Sequence, residues 1–339
     1  MNVSSAKNDL AVTSAINDGV YSLSMQLLHV VMFIFSLSGM LTNIINVMVF
    51  VKQGVTSDSI TFSFFTMSLS DLLSSVLLLP WPLCTFMDSL KSITSKNCYT
   101  ITALATSNPH AIFTKLTCLI QTYISAERAF CVVFPLHVKS VIKTKNTVII
   151  NLILCCVIFI IYVPYYGEAK FVWGRDAENS TVVLWYETRQ GKALHSLIYI
   201  IGGLIMPNVA IVLNSLATVI IVTRLNLNRQ WRQKLSSAQS AADTKFQGMS
   251  SKSLEVSKTV TVITTMYIVT FVCGQLTAMT AFALPEVTME GANEHLYYVV
   301  YALRFDTDAF HASVNMFFYL KMSSKYREVF NTIFYSLKK

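Results

Sequence analysis

Apolar residues gather into seven long runs parted by short polar stretches. The runs cover Leu27–Val51, Ile60–Phe86, Thr100–Val133, Thr147–Tyr166, Ala193–Val222, Ser257–Leu284 and His295–Leu320. Each exceeds the ~18 residues that mark a spanning helix, and at ~1.5 Å per residue each crosses ~30 Å of hydrocarbon. The alternating segments of about ten residues that build a membrane barrel are absent from the pattern. After the seventh run, "SSKYREVFNTIFYSL" sets Tyr326, Val329, Phe330, Ile333 and Phe334 three and four apart. That is one apolar stripe beside Lys325 and Arg327, which fits a short helix lying in the membrane interface; a frayed tail is the alternative.

Composition agrees with the runs. Of 339 residues 53% are hydrophobic and 13% charged, against about 25% charged in soluble proteins. The expected fold is therefore an all-α membrane protein, a bundle of seven transmembrane helices. Residues 1–26 form a polar N-terminal segment without the basic and apolar regions of a signal peptide. Residues 27–320 form the membrane domain, and 321–339 the interfacial helix and tail. Two connections are long. Gly167–Lys192 carries Trp173, Trp185 and Tyr186; Thr223–Val256 is basic, rich in Ser, Gln and Ala, and reads as flexible. The two halves show no repeat, which argues against most secondary transporters.

The net charge of +8 is mainly topology. Sixteen basic residues fall on the side of the C-terminus and seven, with ten acids, on the other. The bias of Lys and Arg toward the cytoplasm puts the N-terminus outside and the C-terminus inside a plasma-membrane protein. Attraction to anionic lipid follows from the same bias, and nucleic acid is not an expected partner. Two glycosylation sequons, at Asn2 and Asn179, fall on the outer side. The seven cysteines show no metal spacing. Cys84 and Cys98 both lie near the outer face, where they either bridge each other or stay free. No nucleophile–base pair and no phosphate-binding glycine motif stands in a credible context, so no enzyme and no cofactor is expected.

Charges inside a bilayer cost about 2.5–3.5 kcal/mol each at mid-depth, so each needs a reason. Asp71, Lys115, Arg304, Asp306 and Asp308 are such charges, and Glu127 and Arg128 close the third run. On that run Ser107, Thr114, Gln121 and Arg128 repeat every seven residues, and His110 and Thr117 share their face. The stripe fits hydrogen bonding between helices, or a ligand site above and a switch below, or both. Lys115 lies one step off it and fits either a partner helix or the site. In "YYVVYALRFDTDAFH" Arg304 and Asp308 stand four apart, able to pair on one face, while Asp306 points elsewhere.

The "ER" of "YISAERAFCVVFPLHVKSVIKTK" resembles the acidic–arginine pair that closes the third helix of rhodopsin-like (class A) G-protein-coupled receptors. Pro135 and Leu136 stand where that family's second inner loop has them. "SLSDLL" with Asp71, "TNIINVMVF" with Asn43, Pro207, and "NMFFY" from Asn315 to Tyr319 resemble its second-, first-, fifth- and seventh-helix motifs. "TNIINVMVFVKQGVTSDSITFSF" and "ERAFCVVFPLHVKSVIKTKNT" further resemble a divergent chemosensory branch expanded in gastropod molluscs. The resemblance implies an extracellular ligand, a small molecule, amino acid or peptide, and a heterotrimeric G-protein as partner. It implies a coupling switch of Glu127, Arg128, Pro135, Leu136, Asn315 and Tyr319. It implies a core polar network of Asn43, Asp71, Thr117 and Asn315, in which Asp71 bonds Asn43 and Asn315. A ligand held between helices three, five, six and seven would meet His110, Thr114, Gln275, Tyr301, Arg304 and Asp308. Arg304 suits a carboxylate or phosphate and Asp308 an amine; mutual neutralisation is the alternative.

Departures from the family are equally specific. Ala129 replaces the aromatic third member of the switch and Met316 a proline. The second outer loop has no cysteine. The sixth run has neither Trp nor Pro, leaving Gly274 as its source of local flexibility. Ser215 replaces a tyrosine. Relatives bind sodium near the second-helix acid; here His311 and Ala312 replace its small polar ligands, and a protonated His311 opposes a cation. Two rival functions therefore stay open, a transporter or channel with a charged path and a receptor that folds without signalling.

Overall fold

The computed structural model describes residues 16–88, 93–134, 142–175, 180–236, 244–284, 286–287 and 291–336. The helices are α1 (Asp18–Gln53), α2 (Ser59–Leu78), α3 (Pro80–Asp88), α4 (Ile93–Val133), α5 (Thr144–Glu168), α6 (Arg189–Ile198), α7 (Met206–Ser236), α8 (Thr244–Ala283), α9 (Glu294–Met322) and α10 (Ser324–Ser336). A π-helical segment, Tyr199–Ile205, joins α6 to α7. Seven rods result: α1, α2 with α3, α4, α5, α6 through α7, α8 and α9.

Local chemistry sets the ends. Asn17 caps α1 by accepting from the Val20 N–H, and Gly54, at φ 85°, closes it in a conformation that L side chains avoid. Asp58 caps α2 through the Thr61 N–H at 2.8 Å. The second rod is interrupted at Leu79, before Pro80, whose nitrogen has no proton to donate. Five rods are long and apolar enough to cross a membrane by length and composition. The rods α4 and α9 lie outside that set because they carry the polar stripe and Arg304, Asp306 and Asp308.

The bundle is polar inside and apolar outside. Ser36, Thr42, Asn43 and Asn46 of α1 and Ser63, Ser68, Ser70, Asp71, Ser74 and Ser75 of α2 are buried. Ile160, Val219 and Leu152 face outward, exposed by 72%, 63% and 59%. Lipid rewards apolar contact on the outer faces and gives no hydrophobic drive between helices, so close packing and hydrogen bonds hold the interior. Gly39 shows the closeness: a methyl there would lie 2.5 Å from Ser75 Oγ and 3.7 Å from the Ser313 nitrogen.

Two elements differ from the sequence expectation. The connection Gly167–Lys192 folds into an antiparallel hairpin, β1 (Ala169–Arg175) with β2 (Thr181–Glu187), in the register Val172 to Leu184. Glu187 pins it by accepting from Tyr165 at 2.5 Å and from Trp185 at 2.8 Å, with His195 3.4 Å away. Burial raises the Glu187 carboxyl, but these donors outweigh it and hold it below the usual range. Second, most of the expected flexible connection Thr223–Val256 is helix, which extends α7 to Ser236 and begins α8 at Thr244. Its Ser, Gln, Ala and Lys residues are compatible with a helix continued from an already formed rod. The expected short helix after the seventh run forms as α10, of 13 residues, and Val329, Phe330 and Ile333 of its apolar stripe pack on the core at its end of the bundle.

Gly39→Ala is expected to overpack the α1–α2 contact and cost about 1–3 kcal/mol, seen as a lower melting midpoint in detergent. Ser75→Ala removes a buried hydroxyl without a hydrogen-bond partner among the described residues, so it is expected to be near neutral alone and to restore most of the loss in the double variant.

Candidate functional site

At the hairpin end, α3 and α4 are joined by a disulfide between Cys84 and Cys98, Cα atoms 5.5 Å apart. Asn97 accepts from the Val183 N–H at 2.8 Å and ties the hairpin to the same helix. Beneath this cover, α4 presents His110, buried and oriented by α2: its Nδ1 lies 2.9 Å from Ser74 Oγ and 3.0 Å from the Ser74 carbonyl. Thr114 closes the group at 3.3 Å from Ser74 Oγ. Ser74 was not anticipated, although it stands three residues after Asp71 and shares its face.

The rod α9 supplies the facing wall. Asp308 Oδ2 lies 4.0 Å from His110 Nε2. The Phe305 ring centroid is 5.2 Å from that of His110, and Tyr301 packs edge-on against Phe305. The pair of Arg304 with Asp308 does not form. The two side chains leave α9 on neighbouring positions of one face, but Asp308 turns to α4 and Arg304 to α8, where its stem packs at Gly274. Gly274 thus serves close approach: a methyl there would meet Thr307 Oγ1 at 3.1 Å. Gln275 is drawn off to the π-helical segment, donating to the Gly203 carbonyl at 3.1 Å. Asp306 is buried, and neither of its oxygens has a hydrogen-bond partner among the described residues.

Mid-bundle, Asp71 joins three rods. Thr117 donates to its Oδ1 at 2.7 Å and Asn315 to its Oδ2 at 3.0 Å. Asn43 does not reach Asp71; its amide donates to the Ala312 and Gly39 carbonyls at 2.8 and 2.9 Å. The α1 rod is parallel to α9 here and meets its backbone, which is why the expected Asp71–Asn43 bond is replaced. His311 faces α8, with Nδ1 3.4 Å from Thr270 Oγ1 and its ring edge-on to Tyr267 and Phe271. It therefore does not oppose a cation at Asp71. The atoms turned to Asp71 are a hydroxyl and an amide that donate to it, a set that suits a carboxylate acceptor better than an oxygen shell for an ion.

At the α10 end, Glu127 and Arg128 are both buried, and the guanidinium bonds the carboxylate. Ser59 donates to the same Glu127 oxygen at 2.7 Å, which ties the pair to α2. The expectation of a helix-edge pair is thus refined to a pair withdrawn from solvent. No side chain of α8 bonds Arg128 among the described residues. The α4–α8 contact is instead neutral: Gln121 donates to Thr264 at 2.8 Å, and Ser125 lies 2.9 Å from the same hydroxyl. Ala129 packs with Ala217 and Ile221 of α7. Tyr319 is buried against Phe50, Phe64 and Tyr326.

Three contacts fix α10, none anticipated from sequence. Tyr326 donates to Asn46 Oδ1 at 2.6 Å. Glu255 of α8 accepts the Ser324 N–H at the first turn, at 2.5 Å. Lys325 meets Asp58 at 3.2 Å. Burial raises the Asp58 carboxyl, but the Thr61 donors and the Lys325 ammonium outweigh it and hold it below the ordinary range. This contact is therefore complete above about pH 4 and is lost only as pH falls through the lowered value. Pro135, Leu136, Asn2 and Asn179 lie outside the described residues.

Two findings from comparison bear on this geometry. The family model of the serpentine type 7TM GPCR chemoreceptor Srw matches residues 30–336. The chain belongs to that family. The crystal structure of squid rhodopsin superposes on this chemoreceptor with a TM-score of 0.64, over 95% of this chain and 87% of that one, at 14% identity. At that identity the likeness speaks for the seven-helix fold alone. No curated protein matches the chain in sequence. The protein is thus a multi-pass membrane receptor of the G-protein-coupled class, and its family and fold are those of receptors.

Tyr326→Phe is expected to leave a buried Asn46 acceptor unpaired and cost about 1–3 kcal/mol. Hydrogen exchange should report it as faster exchange of the α10 amides, with α4 and α5 unchanged.

Proposed function

We propose that this chemoreceptor sits in the plasma membrane with the hairpin end outside and α10 in the cytoplasm, and couples an extracellular ligand to heterotrimeric G-proteins. The ligand is a chemosensory small molecule, amino acid or peptide held by His110, Thr114, Tyr301, Arg304 and Asp308, with Gln275 at the edge of the site. The observation that carries this reading is the separation of Arg304 from Asp308. Two opposite charges four residues apart on one helix would neutralise each other if their role were only to be tolerated in the membrane. They turn instead to different neighbours, Asp308 to His110 and Arg304 to α8 at Gly274. The sixteen basic residues on the α10 side support the orientation. On it, residues 1–26 are extracellular, Asn2 and Asn179 are open to glycosylation, and 321–339 are cytoplasmic. The motifs of the rhodopsin-like class, and of its molluscan chemosensory branch, support the finer family assignment.

Coupling in this reading runs through Glu127 and Arg128, with Pro135 and Leu136 in the adjoining loop and Asn315 and Tyr319 on α9. The buried Arg128 has its Nε unpartnered among the described residues. A guanidinium with a spare donor is ready to change partners when α8 moves away from α4. Such a pair is a bistable element that a ligand can bias. A transporter or a silent receptor would share the buried charges but not this response.

The test is nucleotide exchange on a G-protein, measured in membranes against a panel of amino acids, small peptides and amines. At least one of Arg304→Ala and Asp308→Ala is expected to abolish the response to an active compound. Equal potency in both variants overturns the ligand site, and solute flux without exchange favours a transporter. Arg128→Ala is expected to remove ligand-driven exchange; an unchanged response removes the switch. Thr264→Val breaks the neutral α4–α8 contact, at about 1 kcal/mol per bond, and is expected to raise ligand-independent exchange about fivefold.

A further inference from the structure

One intramembrane charge has no place in the arrangement above. Lys115, on α4, is 2% exposed. Among the described residues no carboxylate comes within ion-pair distance of its ammonium and no acceptor within hydrogen-bond distance. Its recorded contact is the face of Phe271, with Nζ 5.8 Å from the ring centroid. A cation–π contact of this length softens the burial of a charge without neutralising it. A lysine kept there for packing alone is outdone by methionine, which fills the same volume and brings no charge into the membrane.

A second cation approaches the same turn of α8. Arg304 lays its stem at Gly274, with Cγ 3.9 Å from where a methyl would be, and Gly274 follows Phe271 by three residues. Lys115 and Arg304 therefore reach one helical turn from two sides, α4 and α9. Arg304 forms no ion pair among the described residues. The charges that act on Lys115 are Arg304 and Asp308, and those that act on His110 are Asp308, Lys115 and Arg304. Asp306 is no remedy, since it forms no ion pair with either cation among the described residues. Among the described residues one carboxylate, Asp308, thus acts on Lys115, and it is turned to His110.

We propose that Lys115 and Arg304 together seat the acidic group of the ligand, and that this receptor answers to small organic acids bearing a carboxylate. The inference rests on the ligand site placed above and deepens it. A carboxylate between the two cations meets the planar fork of the guanidinium and the point charge of the ammonium, and both buried charges gain a partner at once. The ring of Phe271, under the Lys115 ammonium, suits an apolar body on the acid. Asp308 then adds selectivity for acids that also carry an amine.

Binding is best measured apart from signalling, on the purified full-length receptor in detergent, by the shift of its melting midpoint. The probes are glycine, leucine and phenylalanine, each as the N-acetyl acid and as the amide. At least one N-acetyl acid is expected to raise the midpoint, and its amide partner to do so only at about tenfold higher concentration or more. Lys115→Met is expected to raise the midpoint of the unliganded receptor, by removing an uncompensated charge, and to abolish the shift by the acid. Lys115→Arg, which keeps the charge, is expected to retain it. Equal shifts by acid and amide, an intact acid shift in Lys115→Met, or no shift with any probe overturns the proposal. Acid binding that fails to drive nucleotide exchange leaves this site standing and removes the signalling reading instead.

Discussion

The structure turns on one buried carboxylate. Asp71 receives a hydroxyl from α4 and an amide from α9, so three rods converge on a single acceptor group where lipid offers no water to replace them. Losing either donor leaves a buried oxygen unpaired, which costs about 1–3 kcal/mol and more for a charged group. Apolar contact cannot set this register, because lipid tails are as apolar as leucine. The polar centre therefore decides how α2, α4 and α9 slide and rotate against one another. The ligand-facing residues inherit that alignment, since Ser74 stands one turn from Asp71 on α2 and orients His110 two turns above Thr117 on α4.

Much of this was legible in the chain. Seven apolar runs, the stripe from Ser107 to Arg128 and the heptad spacing of its members fix both the rod count and the face of α4 that points inward. Residues on that stripe, His110, Thr114, Thr117, Gln121 and Arg128, are all buried in the bundle. What periodicity cannot supply is the partner. The spacing of Arg304 and Asp308 permits a pair, and only the positions of α4 and α8 draw the two apart. The spacing of Asn43 and Asp71 says nothing of the Ala312 carbonyl that takes the amide instead. The hairpin was hidden because its strands hold aromatic and charged residues without a clean alternation. The helical extensions to Ser236 and from Thr244 were hidden because a Ser- and Gln-rich composition speaks for an isolated segment, not for one templated by a long rod.

The α4–α8 seam connects the two ends of the molecule without a gap. Lys115 lies over Phe271, and Phe271 stacks on Tyr267 with centroids 4.1 Å apart. Tyr267 donates to Cys118 at 2.8 Å. One turn further, Gln121 and Ser125 share Thr264. Arg128 follows, held by Glu127 and by nothing from α8 among the described residues. The seam is made of contacts that are individually weak, neutral hydrogen bonds near 1 kcal/mol and one ring stack. Contiguity alone does not make a pathway; the proposed coupling requires a second arrangement of the seam whose balance a ligand tips.

The chemistry at the top of that seam explains how the balance would tip in the proposed reading. With the site empty, two basic side chains face one carboxylate, and their repulsion acts between α4 and α9 across the turn Phe271–Gly274 of α8. An acid bound there replaces repulsion by attraction and pulls the same turn toward both neighbours. A rod of about 40 residues pivoting near Thr264 swings its far end the opposite way, and the bond to be surrendered there is that of Glu255 with the first turn of α10. Two charge-assisted contacts made by the acid at one end thus compete with one at the other. At about 1.5–3 kcal/mol per bond, the greater number gives the direction of the change. An ionic lock between Arg128 and α8 would have evened that balance. Its absence among the described residues is what lets a small ligand suffice.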